Sequence, residues 1–231
     1  MSGPSAARRA LVVGASGLVG RQIVAQLLHE PHYAEVHVLL RRPPLAELPQ
    51  GPRLVTQLID FRVLHADPEA VRLPAVDDVY CALGTTIKAA GSQAAFREVD
   101  FDAVVDSARA ARHAGAERLA VVSALGADSG SPVFYNRVKG EMERAVAQLG
   151  YATVVLARPS LLAGDRAATG QPQRLGERLA LGVFGPVARL LPTRIRPIDA
   201  AQVARALCAA CLQGTRGVRV IESAELQRLG A

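Results

Sequence analysis

The run "LVVGASGLVGRQIVAQLL", residues 11–28, constrains the fold more than any other stretch of the chain. It reads as an apolar strand, a glycine turn and an amphipathic helix. The glycines are Gly14, Gly17 and Gly20. In this pattern the first permits a tight turn and the second lets the backbone approach a pyrophosphate. The third lets the helix pack closely on the strand. Ala15, Ser16, Leu18 and Val19 complete the turn, whose backbone N–H groups open a helix and so favour an anion. A glycine pattern by itself is weak. Its place after a strand and at the start of a helix is the confirming context, set against a βα turn that binds nothing.

The same alternation recurs along the chain. Strands are expected at Ala10–Val13, Val36–Leu40, Leu54–Leu58, Asp78–Ala82, Leu119–Ser123, Thr153–Ala157 and Val218–Ile221. Helices are expected at about 18–29, 93–114, 134–149 and 200–212. Residues 43–52 form a proline-rich loop, and 160–197 a mixed lobe of loops and short helices. Alternation of this kind predicts a parallel sheet with helices on both faces, right-handed crossovers, and ligands beyond the strands' carboxyl ends. The fold class is therefore α/β, a single-domain Rossmann fold with a doubly wound parallel sheet and a small C-terminal substrate lobe. Its cofactor part spans about residues 8–158 and its lobe about 159–198. The length of 231 residues suits one domain, and aromatics are only 4%. The core must then come from Ala, Val, Leu and Ile, as in a parallel sheet.

The net charge of +6 raises the question of a polyanionic partner. The arginines are scattered among acids and are not interleaved with aromatics, so nucleic acid is not expected. No apolar run approaches the ~20 residues of a membrane span, so no membrane is expected. Paired arginines before residue 10 resemble the start of a secretion signal, but the glycines break the apolar run that follows. Cys208 and Cys211 sit in an alanine-rich helical run and read as small apolar residues; Cys81 falls in a strand. Nothing suggests a disulfide framework, which points to a reducing cytoplasm. No His, Glu or Cys cluster has the spacing of a metal site.

An NAD site usually places an acid at the end of the second strand. Here that place reads "VLLRRPP", and Arg41 and Arg42 can pair instead with a 2′-phosphate. NADP(H) is favoured over NAD(H); a solvated surface pair is the alternative. Asp60, after the third strand, is a candidate acceptor for the adenine amino group. "ALGTT", with Leu83, Gly84 and Thr85, brings backbone close to the cofactor after the fourth strand.

Only two lysines occur, Lys88 and Lys139, against twenty-five arginines. Lys139 lies four residues after Tyr135 in "FYNRVKGE", so on a helix both face one way. A free phenol, with a pKa of about 10, is a poor proton donor or acceptor at neutral pH. A cation one turn away favours its charged form, which suits acid–base catalysis. Lysine's compact ammonium can also hydrogen-bond ribose hydroxyls. An amphipathic helix with an incidental lysine is the plainer reading.

"GASGLVG" together with "YNRVK" resembles the short-chain dehydrogenase/reductase superfamily, in its compact atypical branch. "CALGTT", "FREVDFDAVV", "VVSALGAD", "FYNRVKGEMERAV" and "ARPSLLAGDR" resemble the Tat-interacting oxidoreductase-like, NADPH-binding subfamily. The similarity runs from about residue 10 to 225. It implies NADP(H) and a Ser–Tyr–Lys set. Tyr135 would be general acid or base, and Lys139 would grip the nicotinamide ribose. A serine would orient the substrate carbonyl. Many relatives carry a Ser-Ser pair where this chain has Ser123 and Ala124, so Ser123 would have to serve, with strand alternation able to turn it away. Ser129 and Ser131 are fallbacks. Relatives often place an asparagine where this chain has Asp100. In "RPS", Pro159 and Ser160 should lie next to the nicotinamide.

Between Arg158 and Arg196, seven arginines face two acids, Asp165 and Glu177. An anionic small-molecule substrate is one reading of that lobe; a solvated face or subunit contact is the other. A monomer or a homodimer is expected. Two functions fit: an oxidoreductase acting on a carbonyl/alcohol pair, or a cofactor-binding regulator with little or no turnover. A sugar-nucleotide epimerase would normally carry a larger C-terminal lobe.

Overall fold

Continuous Val, Leu and Ala runs bury both faces of a strand, and here they assemble into one parallel sheet. The computed structural model describes residues 7–43, 48–67, 71–163 and 192–231. Its strands are β1 (Arg8–Val13), β2 (Tyr33–Leu40), β3 (Leu54–Leu58), β4 (Asp78–Cys81), β5 (Arg118–Val122), β6 (Thr153–Arg158), β7 (Leu162–Ala163), β8 (Ile198–Asp199) and β9 (Gly217–Glu222). Seven of them pair in the order β3-β2-β1-β4-β5-β6-β9, while β7 and β8 form a separate short pair. The helices are α1 (Leu18–His29), α2 (Phe61–Ala66), α3 (Ile87–Ala90), α4 (Gln93–Arg97), α5 (Ala103–His113), α6 (Phe134–Ala147), α7 (Ala200–Gln213) and α8 (Ser223–Leu229). A π-helical turn, Glu98–Asp102, joins α4 to α5.

The strand order reverses direction between β1 and β4, which lie side by side with Val13 opposite Cys81. A crevice opens at such a point beyond the carboxyl ends of the strands. Alternate residues of β1 divide the core. Ala10 and Val12 pack with Ile23, Leu27, Val203 and Leu207 on the α1/α7 side. Leu11 and Val13 pack with Val104, Ala108, Met142 and Val146 on the α5/α6 side. Cys208 and Cys211 are buried on α7, as small helix residues. That helix starts with a capping box between Asp199 and Gln202 and ends at Gly214, whose φ of 66° is left-handed.

Two expectations shift. The helix expected over 93–114 is interrupted by the π-helical turn, which adds a residue to one turn and carries Asp100 inward. Most of the lobe expected over 160–197 lies outside the described residues, as do Arg166, Arg174, Arg178 and Arg189. Among the described residues no helix is long and apolar enough to cross a membrane, and no group of acids, His and Cys could hold a metal ion.

Candidate active site

The glycine turn divides into two architectural residues and one open one. Gly14 has φ of 84°, and a Cβ there would lie 2.5 Å from the carbonyl carbon of Ala82. A Cβ on Gly20 would lie 2.1 Å from the Gly14 oxygen. Neither position can take a side chain without moving backbone. Gly17 differs: its φ is −81°, and a Cβ would meet only the Gly14 oxygen at 3.3 Å and the Ala82 oxygen at 4.0 Å. Gly17 also starts α1 and no side chain caps that helix end. Ala15 and Val19 are buried in the α1/α7 side of the core, while Ser16 and Leu18 are half-buried. The Gly17 N–H donates to the Gly14 oxygen at 3.1 Å and closes the turn. The uncapped first turn of α1, beside a position without a side chain, fits a dinucleotide's diphosphate through its N–H groups.

The loop after β4 links this turn to α6. Its Ala82 and Leu83 backbone closes over Gly14. Two residues on, the Thr85 N–H donates to Asp100 Oδ2 at 2.8 Å. The other oxygen, Oδ1, lies 2.7 Å from Lys139 Nζ. That contact is a close ion pair. Both side chains are almost fully buried. Burial is the largest influence on the Lys139 ammonium and opposes it, but the Asp100 carboxylate, together with Tyr135 and Cys81, holds the titration above the ordinary lysine range. Gly84 covers the pair: a Cβ there would lie 3.4 Å from Asp100 Oδ1 and 3.8 Å from Lys139 Nζ. Beneath them burial pushes the Cys81 thiol up to about 11.

Tyr135 stands one turn before Lys139 on α6 and is half-buried. Its ring packs on Phe96 of α4, with centroids 5.4 Å apart. Phe96 also touches Phe134, at 5.9 Å. Ser123 extends β5 and its N–H donates to the Ala157 oxygen. It shares strand parity with Leu119 and Val121, which face α5 and α6, so alternation turns it toward the helix of Tyr135 rather than away. Its hydroxyl is buried, with no hydrogen-bond partner among the described residues. Ala124 is buried beside it.

The two fallback serines lie elsewhere. A Cβ on Gly140 would clash with the Asp128–Ser129 backbone, so this loop is pressed against a different face of α6. There the Ser129 hydroxyl meets Arg144. Ser131 accepts from the Val133 N–H at the start of the helix.

Arg41 and Arg42 follow β2 and are exposed. Asp60 acts locally. It caps α2 by accepting from the Arg62 N–H, and both its oxygens meet the Arg62 guanidinium. Those side-chain hydrogen bonds, then the backbone one, hold its carboxyl below the usual range. A carboxylate has more acceptor sites than these contacts use, so the adenine contact expected for Asp60 stays a proposal. The Pro159 oxygen accepts from the Leu125 N–H at 2.9 Å. The Ser160 hydroxyl accepts from Ser223 at 2.9 Å and donates to the Arg196 oxygen, so it ties β6 to α8 and to the returning lobe. Arg158 pairs with Glu143 and Glu222. Phe96 was not among the expected site residues. Its only signal is an aromatic in the helix that precedes Asp100.

Parallel strands in this order, with a glycine turn at the reversal and Tyr135 and Lys139 on the helix beyond β5, define a Rossmann-type α/β protein. Residues 14–163 match the family described as NAD(P)H-binding, and the chain belongs to it. It is 33% identical over 241 residues to Protein FMP52, mitochondrial, of Coccidioides immitis, covering 95% of each chain. It is 35% identical to the fmp52 protein of Aspergillus fumigatus, covering 76% of this chain and 75% of the relative. Among solved structures, MoeE5 in complex with UDP-glucose and NAD superposes with a TM-score of 0.68 at 20% identity, over 96% of this chain and 81% of that one. The Bordetella bronchiseptica enzyme WbmF in complex with NAD+ gives 0.66 at 19%, over 96% and 77%. The expected cytoplasmic location does not hold: the curated relatives are named as mitochondrial.

Proposed function

We propose that the protein is an NADP(H)-dependent oxidoreductase of the short-chain dehydrogenase/reductase type, acting on a carbonyl/alcohol pair. Within that superfamily its motifs favour the Tat-interacting oxidoreductase-like group. The observation that carries the reading is the continuous path from Gly14 through the 82–85 loop to the buried Asp100–Lys139 pair, one helical turn from Tyr135. The chemistry that a nicotinamide coenzyme held here would supply is hydride transfer to or from the carbonyl carbon. The Tyr135 hydroxyl gives its proton to the resulting oxygen during reduction and takes it back during oxidation. Phe96 backs the phenol ring and fixes its direction. Lys139, kept charged by Asp100, offers donors to ribose hydroxyls. The unpartnered Ser123 hydroxyl is the remaining donor for a substrate oxygen. Arg41 and Arg42 meet the 2′-phosphate.

A second reading, a coenzyme-binding regulator, draws support from Ala124 and from Asp100, which offsets the Lys139 charge. The test is NADPH oxidation with a panel of aldehydes, ketones and quinones. The enzyme reading expects turnover that falls about 10²–10⁴-fold in Tyr135→Phe. NADPH binding with no turnover on any member would favour the regulator.

A further inference from the structure

Asp100 faces two donors at once. The Thr85 N–H meets one oxygen at 2.8 Å, and the Lys139 ammonium stands 2.7 Å from the other. A carboxylate presents an acceptor to each. An amide would turn its own NH2 group toward one of them, donor against donor. The pocket is therefore built for Asp at this position. The pair is nearly sealed, with Asp100 1% and Lys139 3% exposed. The groups that act on Lys139 are Asp100 from the π-helical turn, Cys81 from β4 and Tyr135 from its own helix. Cys81 is uncharged at neutral pH, so Asp100 is the charge that answers the ammonium.

We propose that Asp100 is a positioning residue that fixes Lys139 against the 83–85 loop and brings the coenzyme pocket close to zero net charge. This rests on the reading that Lys139 lines the coenzyme pocket. The oxidised nicotinamide ring is cationic and the reduced ring is neutral. A lone buried ammonium would discriminate against the oxidised form; a paired one accepts both. Without its counter-ion, Lys139 would also lose its proton more readily, because burial would then act unopposed.

Two measurements on the full chain test this. With lysine as the only isotope-labelled residue type, two side-chain signals are expected, from Lys88 and Lys139. In Asp100→Asn, Lys139 should titrate about one pH unit or more lower than in the wild type. At pH 6.5, the affinity ratio of NADPH to NADP+ should rise about tenfold in favour of NADPH. The double variant Asp100→Asn/Lys139→Met, neutral at both positions, should return the ratio close to the wild-type value even if both affinities fall. It also keeps the test open should the single variant fold poorly. Proportional loss of both coenzymes in Asp100→Asn, or an unchanged Lys139 titration, overturns the proposal. If neither coenzyme binds the wild type, the proposed function fails while the lysine titration still decides the role of Asp100.

Discussion

Replacing Gly17 by Ala should leave the fold intact and weaken coenzyme binding, whereas the same change at Gly14 or Gly20 should damage the fold itself. At Gly17, with φ −81° and ψ 170°, alanine meets no backbone strain, and its Cβ asks the Gly14 oxygen, 3.3 Å away, to give by only a few tenths of an ångström. Reduced freedom of the unfolded chain stabilises by about 0.4–1 kcal/mol. The loss of glycine from a helix N-cap costs a similar amount. The net change is within about 0.5 kcal/mol, or about 2 °C in Tm for a chain of this size. At Gly14 the left-handed backbone costs alanine about 1–2 kcal/mol. A Cβ 2.5 Å from the Ala82 carbonyl carbon adds about 1–3 kcal/mol of overpacking. Tm should then fall by about 5–15 °C. Gly20→Ala meets the Gly14 oxygen at 2.1 Å and should lose a comparable amount. Thermal unfolding followed by circular dichroism reads the stability, and NADPH fluorescence reads the binding. Gly17→Ala should bind NADPH about 10–100-fold more weakly, because its methyl group stands where the diphosphate must approach. The reasoning is refuted if Gly17→Ala melts as early as Gly20→Ala, or if it binds NADPH as tightly as the wild type.

Other substitutions test separate parts of the account. Tyr135→Phe should keep NADPH affinity within about twofold while turnover falls, because the hydroxyl acts only on the proton. Arg41→Ala combined with Arg42→Ala should weaken NADPH about tenfold or more and leave NADH unchanged in the same titration. Ser160→Ala should lower Tm by about 2–4 °C, with coenzyme affinity unaltered, because its hydroxyl joins Ser223 and Arg196. His65 on α2 meets Asp106 on α5 at 2.6 Å, and that hydrogen bond raises the imidazole's titration. A raised folded pKa gives stability that is fully present below the unfolded value of about 6.5 and lost as pH rises through the folded one. Wild-type Tm should therefore drop across the neutral range relative to His65→Gln.

The strands and the glycine turn were legible because their signals are local: apolar runs of strand length and glycines at fixed spacing. Every expected strand is present to within a few residues at each end. The break at Glu98–Asp102 was not legible. "REVDFDA" continues a helical pattern, and only the distant Thr85 and Lys139 give a reason to turn Asp100 inward. Asp60 carried two compatible signals, a ligand position after a strand and an N-cap before "FRVL". The local one is made in the structure, and the two are compatible. Ser160 points to the same lesson, since its partners Arg196 and Ser223 lie 36 and 63 residues away. For Ser123, the buried face of β5 gives the parity of the strand it extends, and its role stays a proposal.

A crystal structure of the complex with NADP+ tests the central claim most directly. The account predicts the diphosphate against the backbone N–H groups of the first turn of α1 and a nicotinamide-ribose hydroxyl within about 3.2 Å of Lys139 Nζ, with the Tyr135 hydroxyl on the same side of the crevice. A coenzyme bound away from the β1–α1 turn, or a Tyr135 hydroxyl turned from the nicotinamide, would contradict it.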